Sequence, residues 1–151
     1  MTNTERKRIF RVLDVNLNRS REGLRMLEDY FRFISKEDSM RNNMRKIRHS
    51  LEAISSNKKL IRNLIENRDS RNDLGRELDS LEIKRNDIFD IVYANFQRVK
   101  ESLRVIEELL KIVDKNNVET AKRIRYQTYA AEKQAFRNWA YLRNSGQRNN
   151  R

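Results

Sequence analysis

Apolar residues recur at three- and four-residue steps along the first part of the chain. Leu13, Leu17, Leu24, Leu27, Phe31 and Ile34 fall on one stripe, which predicts a long amphipathic helix over about residues 3–34. Ser35 to Asp38 reads as a restart of capping-box type. Met40, Met44, Ile47, Leu51 and Ile54 then mark a second helix, and Leu60, Ile61, Leu64 and Ile65 a short third one. Periodicity disappears in a polar, turn-rich segment over 67–85, which reads as the main loop. It returns near Asn86 as a helix to about Val113, and after a break at Asp114 to Asn117 a last long helix runs to about Arg143. Residues 144–151 are expected to be a disordered basic tail.

The pattern occurs twice. An offset of 79 residues lays Val15-Asn16-Leu17-Asn18-Arg19 on Ala94-Asn95-Phe96-Gln97-Arg98 and Leu24-Arg25-Met26-Leu27-Glu28 on Leu103-Arg104-Val105-Ile106-Glu107. A second echo, at an offset of 77, pairs Arg45-Lys46-Ile47-Arg48-His49 with Lys122-Arg123-Ile124-Arg125-Tyr126. The repeat is therefore a two-helix unit. It predicts an all-α bundle of two duplicated long-helix pairs with pseudo-two-fold symmetry, one domain over 1–143 with halves at about 8–66 and 86–143.

Composition agrees with helices and removes several chemistries. No proline, three glycines and 37% charged residues leave little for turns and strands. The absence of cysteine and a single histidine, His49, exclude a disulfide framework, thiolate chemistry and a soft-ligand metal site, so any metal would be Mg²⁺ held by oxygen. The start of the chain lacks a signal-peptide segment and no stretch is apolar enough to span a bilayer, which predicts a cytoplasmic protein with no membrane partner. A net charge of +12 suits a polyanion, yet the basic residues are scattered among 22 acids along every helix, which argues against nucleic acid as the main partner. Homo-oligomerisation stays open.

Candidate chemistry lies where polar groups interrupt the apolar stripes. At about 100° per residue, Asn16 and Ser20 point into the sector of Leu13, Leu24, Leu27 and Phe31, with Arg19 at its edge, and the second copy repeats this with Asn95, Ser102 and Arg98. A buried amide needs a partner. Asn16 and Asn95 either satisfy each other or a backbone carbonyl, or the two Asn-Arg pairs face a shared polar cavity and bind a small anion. Arg125 also points inward, toward a structural pair with Glu132 or a ligand phosphate, and Arg48 is its counterpart at the edge of the second stripe. His49 points away from the core, and Phe136 and Trp139 read as core. Asp69 and Asp73, with Ser70 and Gly75 close by, suit either an ordinary turn or Mg²⁺ carried on substrate phosphates. No glycine-rich phosphate loop of a known pattern is present.

The segment from Leu13 to Asp29, the loop from Arg68-Asp69-Ser70 to Asp73-Leu74-Gly75, Ala94-Asn95-Phe96-Gln97-Arg98 and Arg123-Ile124-Arg125-Tyr126 together resemble a known family. It is the helical domain that precedes thiamine-phosphate synthase in some fused bacterial proteins and is associated with hydroxymethylpyrimidine-phosphate kinase activity. The likeness covers roughly residues 8–132 in order. It implies a phosphotransferase of thiamine biosynthesis that uses ATP and Mg²⁺ to convert hydroxymethylpyrimidine phosphate to the diphosphate, with thiamine-phosphate synthase as a possible partner. The chain is not expected to be a barrel-type synthase itself, since a (β/α)₈ barrel takes about 250 residues. Arg19, Arg98, Arg48 and Arg125 would neutralise phosphate charge, with Asn16 and Asn95 as hydrogen-bonding groups. The competing expectations are a non-catalytic ligand- or partner-binding module of the same pathway, and an RNA-binding bundle.

Overall fold

A computed structural model describes residues 1–75 and 85–148, with side chains described as far as Trp139. The described residues contain five α-helices: α1 Asn3–Asp29, α2 Asp38–Ser55, α3 Lys58–Glu66, α4 Ile88–Val113 and α5 Val118–Arg148. No strand occurs among them. The architecture is all-α. Helix α1 packs along α4, α4 against α5, α1 against α2 and α2 against α5, while α3 lies on α1. Residues 76–84 of the expected loop and 149–151 of the expected tail lie outside the described residues.

Each helix boundary has a local cause. Thr2 caps α1 with a reciprocal box: the Glu5 backbone N–H donates to Thr2 Oγ1 at 3.1 Å and the Thr2 N–H donates to Glu5 Oε2 at 2.6 Å. The expected box at Ser35 does not form. Ser35 still has helical torsions, φ −79° and ψ −22°, and so cannot serve as the extended residue before α2; Glu37, at φ −95° and ψ 94°, takes that place without a side-chain cap. The first helix also stops being α-helical earlier than its apolar stripe suggests. Tyr30–Ile34 form a π-helical turn, closed by Ser35 N–H donating to the Tyr30 carbonyl at 3.0 Å. At the far end α5 continues to Arg148, beyond the expected end at 143 and into the segment expected to be disordered. Only Gly146 there is a strong helix breaker, and no proline intervenes.

The core repeats with the sequence. Leu13, Leu17, Ser20, Gly23, Leu24, Leu27, Glu28 and Phe31 are buried, and so at the 79-residue offset are Val92, Phe96, Val99, Ser102, Leu103, Ile106, Glu107 and Leu110. At the 77-residue offset Met44, Ile47, Leu51 and Ile54 match the buried Ala121, Ile124, Thr128 and Ala131. A large apolar side chain buried in this way contributes about 1.5–3 kcal/mol.

Contacts between the halves are reciprocal. Ser20 Oγ meets Ser102 Oγ at 2.7 Å where α1 crosses α4. The offset converts Ser20 into Val99 and Ser102 into Gly23, and those residues also meet: a β-carbon at Gly23 would stand 2.7 Å from Val99 Cγ2 and 3.3 Å from the Asn95 carbonyl oxygen. Gly23 is needed because the helices approach too closely there for a side chain.

Candidate functional site

The first candidate cleft opens beside this crossing. It has a volume of about 670 Å³, and Asn16 and Arg19 of α1 line it together with Tyr93, Gln97, Arg98 and Glu101 of α4. Asn16 is buried by its position on the α1 core stripe, and its Nδ2 donates to the Val12 carbonyl at 2.8 Å. That bond uses one of its two amide protons. Arg19 and Arg98 occupy equivalent places in the two copies and form no ion pair among the described residues, so two guanidinium groups stand beside one cleft without a neutralising carboxylate bonded to either. Gln97 is held from behind: its Nε2 donates to Glu132 Oε1 at 2.8 Å, while Glu132 Oε2 accepts from Lys100 Nζ at 2.6 Å. With its amide nitrogen tied to Glu132, Gln97 keeps its carbonyl oxygen as an acceptor.

An adjoining groove of about 340 Å³ shares Asn16 and Arg19 with the first cleft and adds Arg8, Arg11 and Asp73. A third, of about 160 Å³, shares Arg11 and Asp73 and adds Asp14, Arg68, Asp69 and Ser70. Through these shared residues the three adjoin as a string of polar grooves, the channel, from the helix crossing to the loop. Arg68 anchors the loop to α1 through a bidentate pair with Asp14, at 2.7 and 2.8 Å, and this bonding raises the Arg68 pKa above its ordinary value. Arg11 holds the next residue, donating to the Asp69 carbonyl at 3.3 Å.

The loop carboxylates are partly occupied. Asp69 accepts from the Asn72 side chain at 3.0 and 3.1 Å and from its backbone N–H, and these bonds, led by the side chain, hold its carboxyl below the usual carboxylate range. Asp73 Oδ1 accepts from the Gly75 N–H at 2.9 Å, an Asx turn. Among the described residues no three Asp, Glu, His or Cys gather closely enough to hold a metal ion. Both Asp69 oxygens accept from Asn72 and Oδ2 also lies 4.0 Å from Arg11, so Asp73 Oδ2 is the oxygen of this pair without a partner among the described residues, and a Mg²⁺ ion here would have to arrive on phosphate oxygens.

The remaining candidates lie elsewhere. Asn95 donates Nδ2 to the Ile91 carbonyl at 2.8 Å, the same bond as in the first copy, but its oxygen lies against Gly23 and it does not line the first cleft. Of the alternatives for the paired amides, each bonds the backbone carbonyl one turn back, and Asn16 also borders a cavity. Arg125 is buried and paired with Glu107, Nε and Nη2 lying 2.9 and 2.8 Å from Oε2. Burial opposes its charge, but hydrogen bonds to Tyr129 and Glu107 outweigh that and raise its pKa. The expected Arg125–Glu132 pair is therefore not formed; Glu132 belongs to Lys100 and Gln97. Arg48 makes the equivalent bond in the first copy, Nε to Glu28 Oε2 at 2.8 Å. Neither arginine joins Arg19 and Arg98. His49 is half-exposed beside Glu52, and Trp139 stacks on Tyr30 with ring centroids 5.7 Å apart.

Sequence reasoning passed over Tyr93, Gln97, Glu101 and the Asp14–Arg68 pair. The repeat held the signal for two of them, since Gln97 is the counterpart of Asn18 and Tyr93 of Asp14, and all four border the channel.

Comparison with known proteins places the chain in a family. No solved structure matches the chain. Curated relatives do, each carrying the name thiamine-phosphate synthase: one from Synechocystis sp. is 37% identical over 125 residues, 82% of this chain and 35% of that protein. One from Rhodopirellula baltica is 36% identical over 131 residues, 86% of this chain and 35% of that protein. A third, from Prochlorococcus marinus subsp. pastoris, is 40% identical over 131 residues, 83% of this chain and 34% of that protein. The chain thus spans about a third of the length of these relatives. The ThiD2 family model matches residues 11–134, a span holding both copies of the repeat, the Arg19–Arg98 cleft and the Asp69–Asp73 loop, and the chain belongs to that family.

Proposed function

We propose that this chain phosphorylates hydroxymethylpyrimidine phosphate with ATP and Mg²⁺, giving the diphosphate used in thiamine biosynthesis. The observation that carries the reading is the pair of arginines, Arg19 and Arg98, that line one cleft with Asn16 beside Asp90 and Glu101 yet form no ion pair among the described residues, with adjoining grooves that reach the Asp69–Asp73 loop. The names of the relatives supply the pathway.

A phosphate oxygen of the pyrimidine substrate attacks the γ-phosphorus of ATP. The bond from that phosphorus to the bridging oxygen breaks, and ADP leaves with the bonding electrons. The nucleophile is already an oxyanion, so the protein's task is to bring like charges together and align them. Arg19 and Arg98 neutralise the approaching phosphates, and Asn16 and Gln97 supply directional hydrogen bonds to the heterocycle or its phosphate. No general base is assigned. Mg²⁺ on the ATP phosphates would add charge stabilisation, and Asp69 and Asp73 are the residues suited to hold it. Arg48 and Arg125, bonded to Glu28 and Glu107, position helices instead of touching substrate.

Incubation of the protein with ATP, Mg²⁺ and hydroxymethylpyrimidine phosphate, followed by ³¹P NMR, should show a new diphosphate and stoichiometric ADP. A second reading rests on the relatives' name, which is that of the synthase and not of a kinase: a module that holds the pyrimidine phosphate and presents it to a thiamine-phosphate synthase without turnover. That module would be stabilised by the pyrimidine phosphate and release no ADP.

A further inference from the structure

A second basic cleft lies at the junction of α1 and α2. It encloses about 800 Å³ and is lined by six cations against two carboxylates, Glu28 and Asp38. Both acids are already taken: Glu28 lies 2.8 Å from Arg48 and 3.6 Å from Arg25, and Asp38 lies 2.7 Å from Arg41. Arg32, Lys36 and Arg45 are left with no carboxylate partner among the described residues. At ~1.5 Å of rise per residue, Arg32 lies about 20 Å along the first helix from Arg19, so this cleft is not part of the Arg19–Arg98 channel.

The backbone is arranged around the same place. The π turn ends at Ile34, and Lys36, two residues on, has a φ of 56°, the non-glycine residue in the left-handed region among those described. Left-handed backbone is unfavourable for a residue with a β-carbon and persists only where neighbours enforce it. Here the Glu37 N–H donates to the Phe31 carbonyl at 2.9 Å and fixes the turn. The neighbouring carboxylate, Glu37, is bonded elsewhere: its Oε1 accepts from Ser35 Oγ at 2.9 Å and its Oε2 from Asn138 Nδ2 at 2.9 Å. Glu37 therefore leaves the first N–H groups of α2 without a side-chain cap, and Asp38 and Arg41 of that helix border the cleft. Phe33, 61% exposed, adds an apolar wall with the Arg32 guanidinium 4.7 Å from its ring centroid.

We propose that this junction is a second anion site, taking a diphosphate group. Three unpaired cations match the two to three negative charges of a diphosphate better than the charge of a monophosphate, and the cleft is wide enough for two adjacent phosphoryl groups. The equivalent junction of the second half contrasts with it. There Asp114, the counterpart of Ser35 at the 79-residue offset and of Glu37 at the 77-residue offset, bonds Asn117 of its own turn at 2.8 Å, whereas Glu37 reaches across to Asn138.

Trp139, the chain's single tryptophan, stacks on Tyr30 beside the junction, so its fluorescence reports on this cleft. Titration of the protein with inorganic pyrophosphate should give a saturable change. Affinity should fall at least 10-fold in Arg32→Ala/Arg45→Ala and stay within 2-fold in Arg19→Ala/Arg98→Ala. A charge-matched control, Lys122→Ala/Arg123→Ala on the exposed side of α5, should bind as the unaltered protein does. Inorganic phosphate should bind at least 10-fold more weakly than pyrophosphate. The proposal is overturned by the absence of saturation at millimolar pyrophosphate, by unchanged affinity in Arg32→Ala/Arg45→Ala, by an equal loss in the control, or by phosphate binding as tightly as pyrophosphate. Retained binding in Arg19→Ala/Arg98→Ala alongside lost turnover would keep this site separate from the proposed catalytic cleft.

Discussion

Arg19 and Arg98 on the one hand, and Arg48 and Arg125 on the other, are two pairs of arginines related by the same duplication, yet they do different work. The second pair lies on α2 and α5, and each member bonds a buried glutamate from the neighbouring long helix, Glu28 or Glu107. The first pair lies on α1 and α4, and no acid bonds either one among the described residues. A buried arginine needs a carboxylate to offset its desolvation, and once it has one its charge is no longer available to a ligand. Arginines at the rim of a cleft carry no such obligation.

The largest effect that would test this contrast is on stability. Arg125→Ala should cost about 3–5 kcal/mol in urea denaturation, because Glu107 is left charged and buried, and Arg48→Ala should cost less because its pair is more exposed. A small stability loss joined to lost turnover would return Arg125 to the list of ligand contacts. Next in size is Arg19→Ala or Arg98→Ala. Each should remove a charge-assisted contact of about 1.5–3 kcal/mol, roughly 10–100-fold in kcat/KM, and shift stability by less than about 0.5 kcal/mol. Steady-state ADP release and thermal melts on the same samples check this. Equal damage to both properties would erase the contrast.

Two smaller changes probe the crossing beside the cleft. Gly23→Ala should cost about 1–3 kcal/mol, since Val99 is β-branched and yields little, and Val99→Ala in that background should restore part of it in a double-mutant cycle. Ser20→Ala should cost about 1 kcal/mol by removing the partner of Ser102, whereas Ser20→Ala/Ser102→Ala together should come close to neutral, which denaturation curves can resolve.

The apolar stripes and the repeat made the helices and their pairing legible, because a buried face leaves a periodic trace in the sequence and a duplication doubles it. The π turn at Tyr30 to Ile34 was not legible: its residues continue the apolar stripe, and only the left-handed Lys36 after it reveals the change of path. In the candidate site, Asn16, Arg19 and Arg98 could be read as exceptions to a pattern. The partners of Arg48 and Arg125 could not, since Glu28 and Glu107 sit on separate helices and the nearer choice, Glu132, is claimed by Lys100. Asp14 also escaped notice. It is off the main stripe, yet it is buried and paired with Arg68 from the loop.

The exchange of Asp14 for Tyr93 between the two copies has a chemical consequence. Identical copies would offer a bound molecule the same contacts read in either direction, so a ligand with two ends could lie head-first or tail-first. In this chain the first-copy position is an acid locked to Arg68 and the second-copy position is a half-exposed phenol in the cleft, and Asn16 lines that cleft while Asn95 does not. The site therefore has a polarity. In the proposed phosphoryl transfer, that direction would give the donor and the acceptor phosphate different neighbours.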